Sequence, residues 1–291
     1  MNKILCSSGA ILGKANHNDY RLLVQFAKEL SCDGFELMIG RSWYSQLDEM
    51  IETVKSFGLC IPVIHANKML GEYLCGMTRT FENGAFQEYF MTDEEEQELF
   101  DRGTELYKLN LKAAKELQAE KMVLHLWNGV PSDRRLDNNI MRFGAWKKMA
   151  DEAGVDLLVE NVICNVNDPL SNMNWVADAY ADAHFVYDTK MAEFHGQTLK
   201  LFEEPNLRLL REGRIKHLHV NDYGGGYKDW SNMAVLPIGR GHVDFNAFFE
   251  GIFAYGYDGD FTVETTALAA DGTIDFAILN ECFERIRGYV R

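Results

Sequence analysis

Apolar and polar positions along this chain alternate in two recurring rhythms. Runs of five or six mostly apolar residues, each closed by turn residues, lie at 3–7, 34–39, 61–66, 121–126, 155–160, 184–188, 215–220 and 260–265. Their length and their Val, Ile, Leu and Phe content read as strands. Between them run segments with apolar residues every three or four positions, the helical rhythm, among them 19–30, 47–57 and 245–255. The best-defined helix follows Thr92, which pairs with Glu95 in a T-x-x-E capping box. Beyond it Leu99, Gly103, Leu106, Asn110, Ala113 and Leu117 form a stripe at helical spacing.

Strand–helix alternation of this kind predicts parallel strands joined by helical crossovers. Polar residues close seven of the apolar runs, at Glu36, His65, His125, Glu160, Asp188, His219 and Glu264. A closed barrel would open all these ends on one face, whereas an open doubly wound sheet more often carries a Gly-rich phosphate turn after its first strand. Here that turn is Ser7-Ser8-Gly9-Ala10, with no GxGxxG pattern. The expected fold is therefore α/β, a single-domain (β/α)8 (TIM) barrel over residues 1–291. Two stretches, 67–91 and 221–244, read as long loops, either lids or surface excursions.

The 291 residues carry a formal net charge of −15, which counts against nucleic acid as a partner. No apolar run approaches the roughly 20 residues that span a bilayer, and the first residues lack a signal-peptide h-region. The six cysteines, Cys6, Cys32, Cys60, Cys75, Cys164 and Cys282, form no CxxC pair. That usage fits reduced thiols in a cytoplasmic protein. Nothing in the chain addresses subunit contacts, so a homo-oligomer stays open.

Burying bare carboxylates is costly unless something neutralises them. A lone Glu or Asp at a strand end is usually a helix cap or an ion-pair partner, and a lone strand His is more often a core residue than a ligand. Four such groups at successive strand ends, Glu160, Asp188, His219 and Glu264, point instead to one divalent cation. Oxygen-rich ligation with one nitrogen suits Mn2+ best, with Mg2+, Co2+ and Zn2+ as alternatives.

The segment His217-Leu-His-Val-Asn-Asp222, followed by Pro237-Ile-Gly-Arg-Gly241-His-Val-Asp-Phe245, resembles the HxHxxD and PxGxGxxDF patterns of the xylose isomerase-like barrels, in particular their sugar phosphate isomerase/epimerase branch. The resemblance runs over most of the chain and is strongest from 155 to 264. It matches the Glu–Asp–His–Glu ligand set of that family residue by residue. It implies a metal-dependent isomerase or epimerase of a small sugar, sugar phosphate or polyol ketone, working by proton transfer through a metal-stabilised enediolate. Glu160 and Glu264 would then form the acid/base pair. Loss of a β-hydroxyl from the same intermediate would make the protein a dehydratase or another lyase, such as a C-glycoside-cleaving enzyme.

Two positions depart from the resemblance. Ketose 3-epimerases carry a sugar-contacting His three residues after the Asp ligand, where this chain has Met191, and an Arg six after the His ligand, where it has Gly225. Substrate contacts are expected instead from His65, His125, Trp127, His195, Arg240 and Glu36, with Lys190, Lys228 and Trp43 as further candidates. Gly239 and Gly241 are expected to shape a turn. Type IV AP endonucleases share the barrel but add a D-x-H before the glycine loop. Asp229-Trp-Ser-Asn-Met233 offers no such His, so nuclease activity ranks last.

Overall fold

A computed structural model describes residues 2–290. Eight parallel strands close into a barrel: β1 (Ile4–Ser7), β2 (Gly34–Met38), β3 (Val63–His65), β6 (Lys121–Leu124), β7 (Asp156–Glu160), β8 (His184–Asp188), β9 (Ile215–His219) and β10 (Asp260–Val263). β10 pairs back onto β1 through Ile4–Phe261, Leu5–Thr262 and Cys6–Val263, so no barrel edge is left open. The predicted α/β barrel is the observed one.

Strand side chains alternate between two faces, which divides the core in two. Outward residues pack under the helices in one large cluster. Inward, Leu5, Val63, Val123, Leu158 and Val186 form a separate apolar plug. Each plug residue sits two positions before a polar residue on the same face: Ser7, His65, His125, Glu160 and Asp188 respectively. The plug is therefore a floor, and the polar ring stands one layer above it at the C-terminal mouth.

The crossover helices include α2 (Leu47–Ser56), α3 (Asp93–Glu116), α4 (Leu136–Ala153), α5 (Pro169–Ala179), α6 (Thr189–Phe194), α8 (Phe245–Ala254) and α9 (Phe276–Tyr289). The Thr92–Glu95 capping box forms as expected: Thr92 Oγ1 accepts from Glu95 N at 3.3 Å, and the Glu95 carboxylate accepts from Thr92 N at 2.8 Å. The helix expected over 19–30 is much shorter. It is a 3-10 turn at Tyr20–Leu22 followed by one turn, α1 (Leu23–Phe26). Lys28 N and Glu29 N then bond three residues back, to Gln25 O and Phe26 O, so the chain tightens and ends. A second single turn, α7 (Arg208–Arg211), precedes β9.

The stretch 67–91 is not a loop. After a 3-10 turn at Lys68–Tyr73 it folds into an antiparallel hairpin, β4 (Met77–Glu82) and β5 (Ala85–Phe90). Its turn is Asn83-Gly84, both with positive φ (53° and 79°), which matches the right-handed twist of a hairpin. Apolar side chains face solvent there, Phe81 and Phe90 at 65% and 66% exposure.

The second expected loop, 221–244, is pinned rather than free. The Asp222 carboxylate, 1% exposed, accepts four backbone N–H groups: Tyr223 at 2.8 Å, Val243 at 3.1 Å, and Gly239 and Gly241 at 2.8 Å each. Gly239 has φ +82°, and a Cβ on Gly241 would lie 2.2 Å from Tyr223 O. Both glycines thus serve the turn, one for its backbone angle and one for close approach.

Candidate metal centre

Glu160, Asp188, His219 and Glu264 end β7 to β10 and converge above the plug, their ligand atoms all within 4.8 Å of one another. His219 Nδ1 lies 3.1 Å from Glu160 Oε1, 3.5 Å from Glu264 Oε2 and 3.9 Å from Asp188 Oδ2. Donors sharing one ion at roughly 2.0–2.2 Å sit roughly 3–4 Å apart, so these separations fit a common cation. Three of the four are fully enclosed, while the Glu264 side chain keeps 15% exposure. Glu264 is the member of the four most open to solvent.

The imidazole is aimed from behind. His219 Nε2 lies 3.1 Å from Glu36 Oε2, and the same oxygen takes His217 Nε2 at 3.0 Å and Thr262 Oγ1 at 2.8 Å. Burial alone would protonate Glu36, but His219 and His217 beside it hold its carboxyl well below the usual range. As a carboxylate it only accepts, so Nε2 of His219 carries the hydrogen and Nδ1 turns its lone pair toward the three acids. Two asparagines brace the acids. The Asn221 amide donates to Asp188 Oδ2 at 3.0 Å and Glu264 Oε2 at 3.3 Å, and its carbonyl accepts from Glu264 N at 2.9 Å. Asn161 bonds both backbone groups of Asp188.

The electrostatics ask for positive charge. Burial, with the Glu264 and Glu160 carboxylates beside it, pushes Asp188 up to about 7. Burial pulls His219 down, but the surrounding carboxylates of Glu36, Glu264 and Glu160 outweigh it and hold the imidazole well above its ordinary value. Left to protons alone, the cluster keeps one between His219 and its acids. A divalent cation on the same atoms would neutralise them without protonating Asp188. The donor set of three carboxylates and one imidazole fits such an ion, and Glu160, Asp188, His219 and Glu264 would hold it.

Residues 24–277 match the family model described as xylose isomerase-like TIM barrel. The chain belongs to that family. Among solved structures, an L-ribulose 3-epimerase superposes with TM-score 0.69 at 15% identity, covering 100% of this chain and 95% of its own. A 3-keto-D-glucoside 4-epimerase from E. coli gives 0.63 at 18%, covering 99% and 100%. The IOLI protein, solved with a zinc atom, gives 0.66 at 14%, covering 99% and 98%. At these identities the likeness is one of fold. No curated protein matches the chain.

In this xylose isomerase-like barrel, the other expected contacts divide sharply. His65 and His125 join the mouth: His125 Nε2 lies 2.7 Å and His65 Nε2 3.3 Å from Glu160 Oε2. Glu36 does not reach a substrate position. It is fully buried and serves His219 and His217, which corrects its reading as a substrate contact. Trp127 has no face free for stacking, because it is enclosed with its indole N–H on Val162 O at 3.0 Å. Trp43 is likewise core, bonded to Asn18 O. His195 is 2% exposed, and its Nε2 accepts from Cys164 N at 3.1 Å. Burial and the Lys228 charge lower it to about 4, so it is a neutral structural residue rather than a substrate contact. Arg240 lies in solvent, 59% exposed beside Glu281 on α9, and is not part of the mouth. Lys190 is 3% exposed and makes no ion pair among the described residues.

Sequence reasoning missed Asn161, Asn221 and the supporting role of His217. Asn161 directly follows a ligand, and Asn221 lies two after one, at positions where a short amide reaches the neighbouring strand end. Those offsets were the available signal.

Proposed function

We propose that this barrel is a divalent-metal-dependent isomerase or epimerase acting on a small sugar, sugar phosphate or polyol ketone by proton transfer. The reading rests on the convergence of Glu160, Asp188, His219 Nδ1 and Glu264 at the barrel mouth above the apolar plug. When bound, a divalent cation would acidify the carbon beside a carbonyl and offset the negative charge that develops there. Glu264 would take a proton from a molecule entering the mouth, a role supported by its being the partly exposed carboxylate of the four. Glu160 is its counterpart, and His125 at 2.7 Å can exchange a proton with it. His65 and His125 are the polar contacts for substrate oxygens. A cavity of about 840 Å3, lined in part by Arg41, Lys68, Glu72, Arg102 and Asn128, lies beside the hairpin, and its lining includes none of the four candidate ligands. Asn128 is also the partner of His125 Nδ1, at 3.2 Å.

Manganese is the preferred ion for this oxygen-rich set. All six cysteines are free, which suits a reducing cytoplasm. Met191 and Gly225 stand where free-ketose 3-epimerases place sugar-binding groups, and that favours a different ketone or a lyase as the second reading. Incubation of the manganese-loaded protein with a panel of ketoses, their phosphates and inososes in deuterated water separates these. Deuterium incorporation at carbon with retained mass otherwise supports proton transfer, and loss of water identifies a dehydratase. Absence of both across the panel, with metal bound, refutes the proposal.

A further inference from the structure

The cavity of about 840 Å3 beside the hairpin carries a charge opposite to that of the chain. It opens between β4, α3 and the segments that follow β2, β3 and β6, so it lies at the C-terminal end of the barrel. Four cations line it, Arg41, Lys68, Arg79 and Arg102, against one acid, Glu72. In a protein of net charge −15 that local excess calls for a counter-charge.

The protein itself does not supply one. Among the described residues every arginine forms an ion pair except Arg41 and Arg102, and both line this cavity. Arg79 must share the Glu88 carboxylate with Arg134, at 3.4 Å against 2.9 Å, and its buried Nε finds no hydrogen-bond partner. Glu72 does not answer the cations either. It accepts from the Asn128 amide at 3.0 Å, and burial raises its carboxyl above the usual range, whereas a guanidinium paired with it would lower it. The Tyr44 hydroxyl, also in the lining, accepts from Asn110 at 2.9 Å and keeps its own hydrogen uncommitted among the described residues. Leu70, Met77, Leu99 and Leu106 complete the walls, and such low-dielectric surfaces concentrate the field of the charges between them.

We infer that this cavity is a binding site for an oxyanion, the phosphate or carboxylate of a small molecule. Guanidinium forks match the planar or tetrahedral oxygens of such groups. The volume falls within the roughly 300–1,000 Å3 of small-molecule sites. One wall is shared with the barrel mouth: Asn128 lines the cavity and lies 3.2 Å from His125 Nδ1, while His125 Nε2 lies 2.7 Å from Glu160. The anion is therefore either the charged end of a molecule that reaches the mouth or a free ion bound next to it. The site stands or falls without the proposed metal chemistry.

The test titrates full-length, metal-stripped protein calorimetrically with inorganic phosphate, D-ribulose 5-phosphate, D-glucuronate and neutral D-ribulose. At least one charged probe should bind, with an affinity that falls as NaCl rises, and D-ribulose should bind far more weakly. Arg41→Gln and Arg102→Gln should each weaken the charged probe about 10-fold. Both side chains are exposed and unpaired, so thermal melts should not change. Arg240→Gln, outside the cavity, should leave the affinity as it was. Inorganic phosphate bound as tightly as the ester identifies a free ion. A tighter ester or glucuronate, with deuterium exchange in the Mn2+-loaded protein that Arg102→Gln abolishes, identifies the charged end of a substrate. No binding of any charged probe, or binding that both arginine variants leave unchanged, overturns the site and leaves the metal centre untouched.

Discussion

Replacing Asp222 with Asn tests whether one side chain holds the segment between β9 and α8. The change is nearly isosteric, so packing is preserved. The four N–H donors divide between the two oxygens, Tyr223 and Val243 on Oδ1, Gly239 and Gly241 on Oδ2. An amide offers one acceptor oxygen, so whichever way it turns, two backbone donors face an NH2 group. Hydrogen bonds to a charged acceptor contribute roughly 1.5–3 kcal/mol each, so two lost bonds cost about 3–6 kcal/mol, and the surviving pair also loses its charge assistance. That is a large share of a typical net stability of about 5–15 kcal/mol. Urea unfolding followed by circular dichroism should show a much lower midpoint with an unchanged slope. Hydrogen exchange should accelerate at Gly239 and Gly241. A loss below about 1 kcal/mol, with both amides still protected, would refute the clamp.

Two further substitutions probe the site itself. Asp188 is an acid raised from 3.8 to about 7, so between those values the folded protein binds the extra proton, and without metal its stability falls as pH rises through that window. In chelator at pH 8, Asp188→Asn should therefore be more stable than wild type by roughly 2–4 kcal/mol, with the gap closing toward pH 4. Excess Mn2+ should reverse the order, because the variant lacks a ligand. A thermal-melt difference that ignores both pH and metal would rule this out. Glu36→Gln should weaken metal binding by about 10–100-fold while leaving the fold intact, since it replaces the charged acceptor that aims His219 with a neutral amide. Calorimetric titration with Mn2+ reads this directly, and an unchanged affinity would remove Glu36 from the account.

The barrel and the convergence of Glu160, Asp188, His219 and Glu264 were legible because the strand period of two and the barrel's C-terminal mouth act together. A polar residue closing an apolar run is forced to the mouth. The same rule misplaced Glu36. Unlike the ligands it is the middle residue of its strand, level with the plug residue Val63, so β2 delivers it beneath His219 beside Thr262 and His217. The apolar Leu37, Met38 and Ile39 that follow it were the local signal for that lower height. The hairpin at 77–90 was readable, since Asn83-Gly84 sits between alternating aromatic and polar residues. It was hidden by treating the whole stretch between strand and helix as one loop. Trp127 and Trp43 went the other way: large rings just past strand ends filled the gap between barrel and helices instead of lining the mouth. Cys164 and His195 meet only through tertiary packing of two βα segments, which no sequence spacing announces.

The apolar plug of Leu5, Val63, Val123, Leu158 and Val186 closes the barrel beneath the polar ring. Under the proposed function, cation and substrate would both come from the mouth above it, the cation first, and a bound substrate would cover the cation. Saturating substrate should thus slow stripping by a chelator.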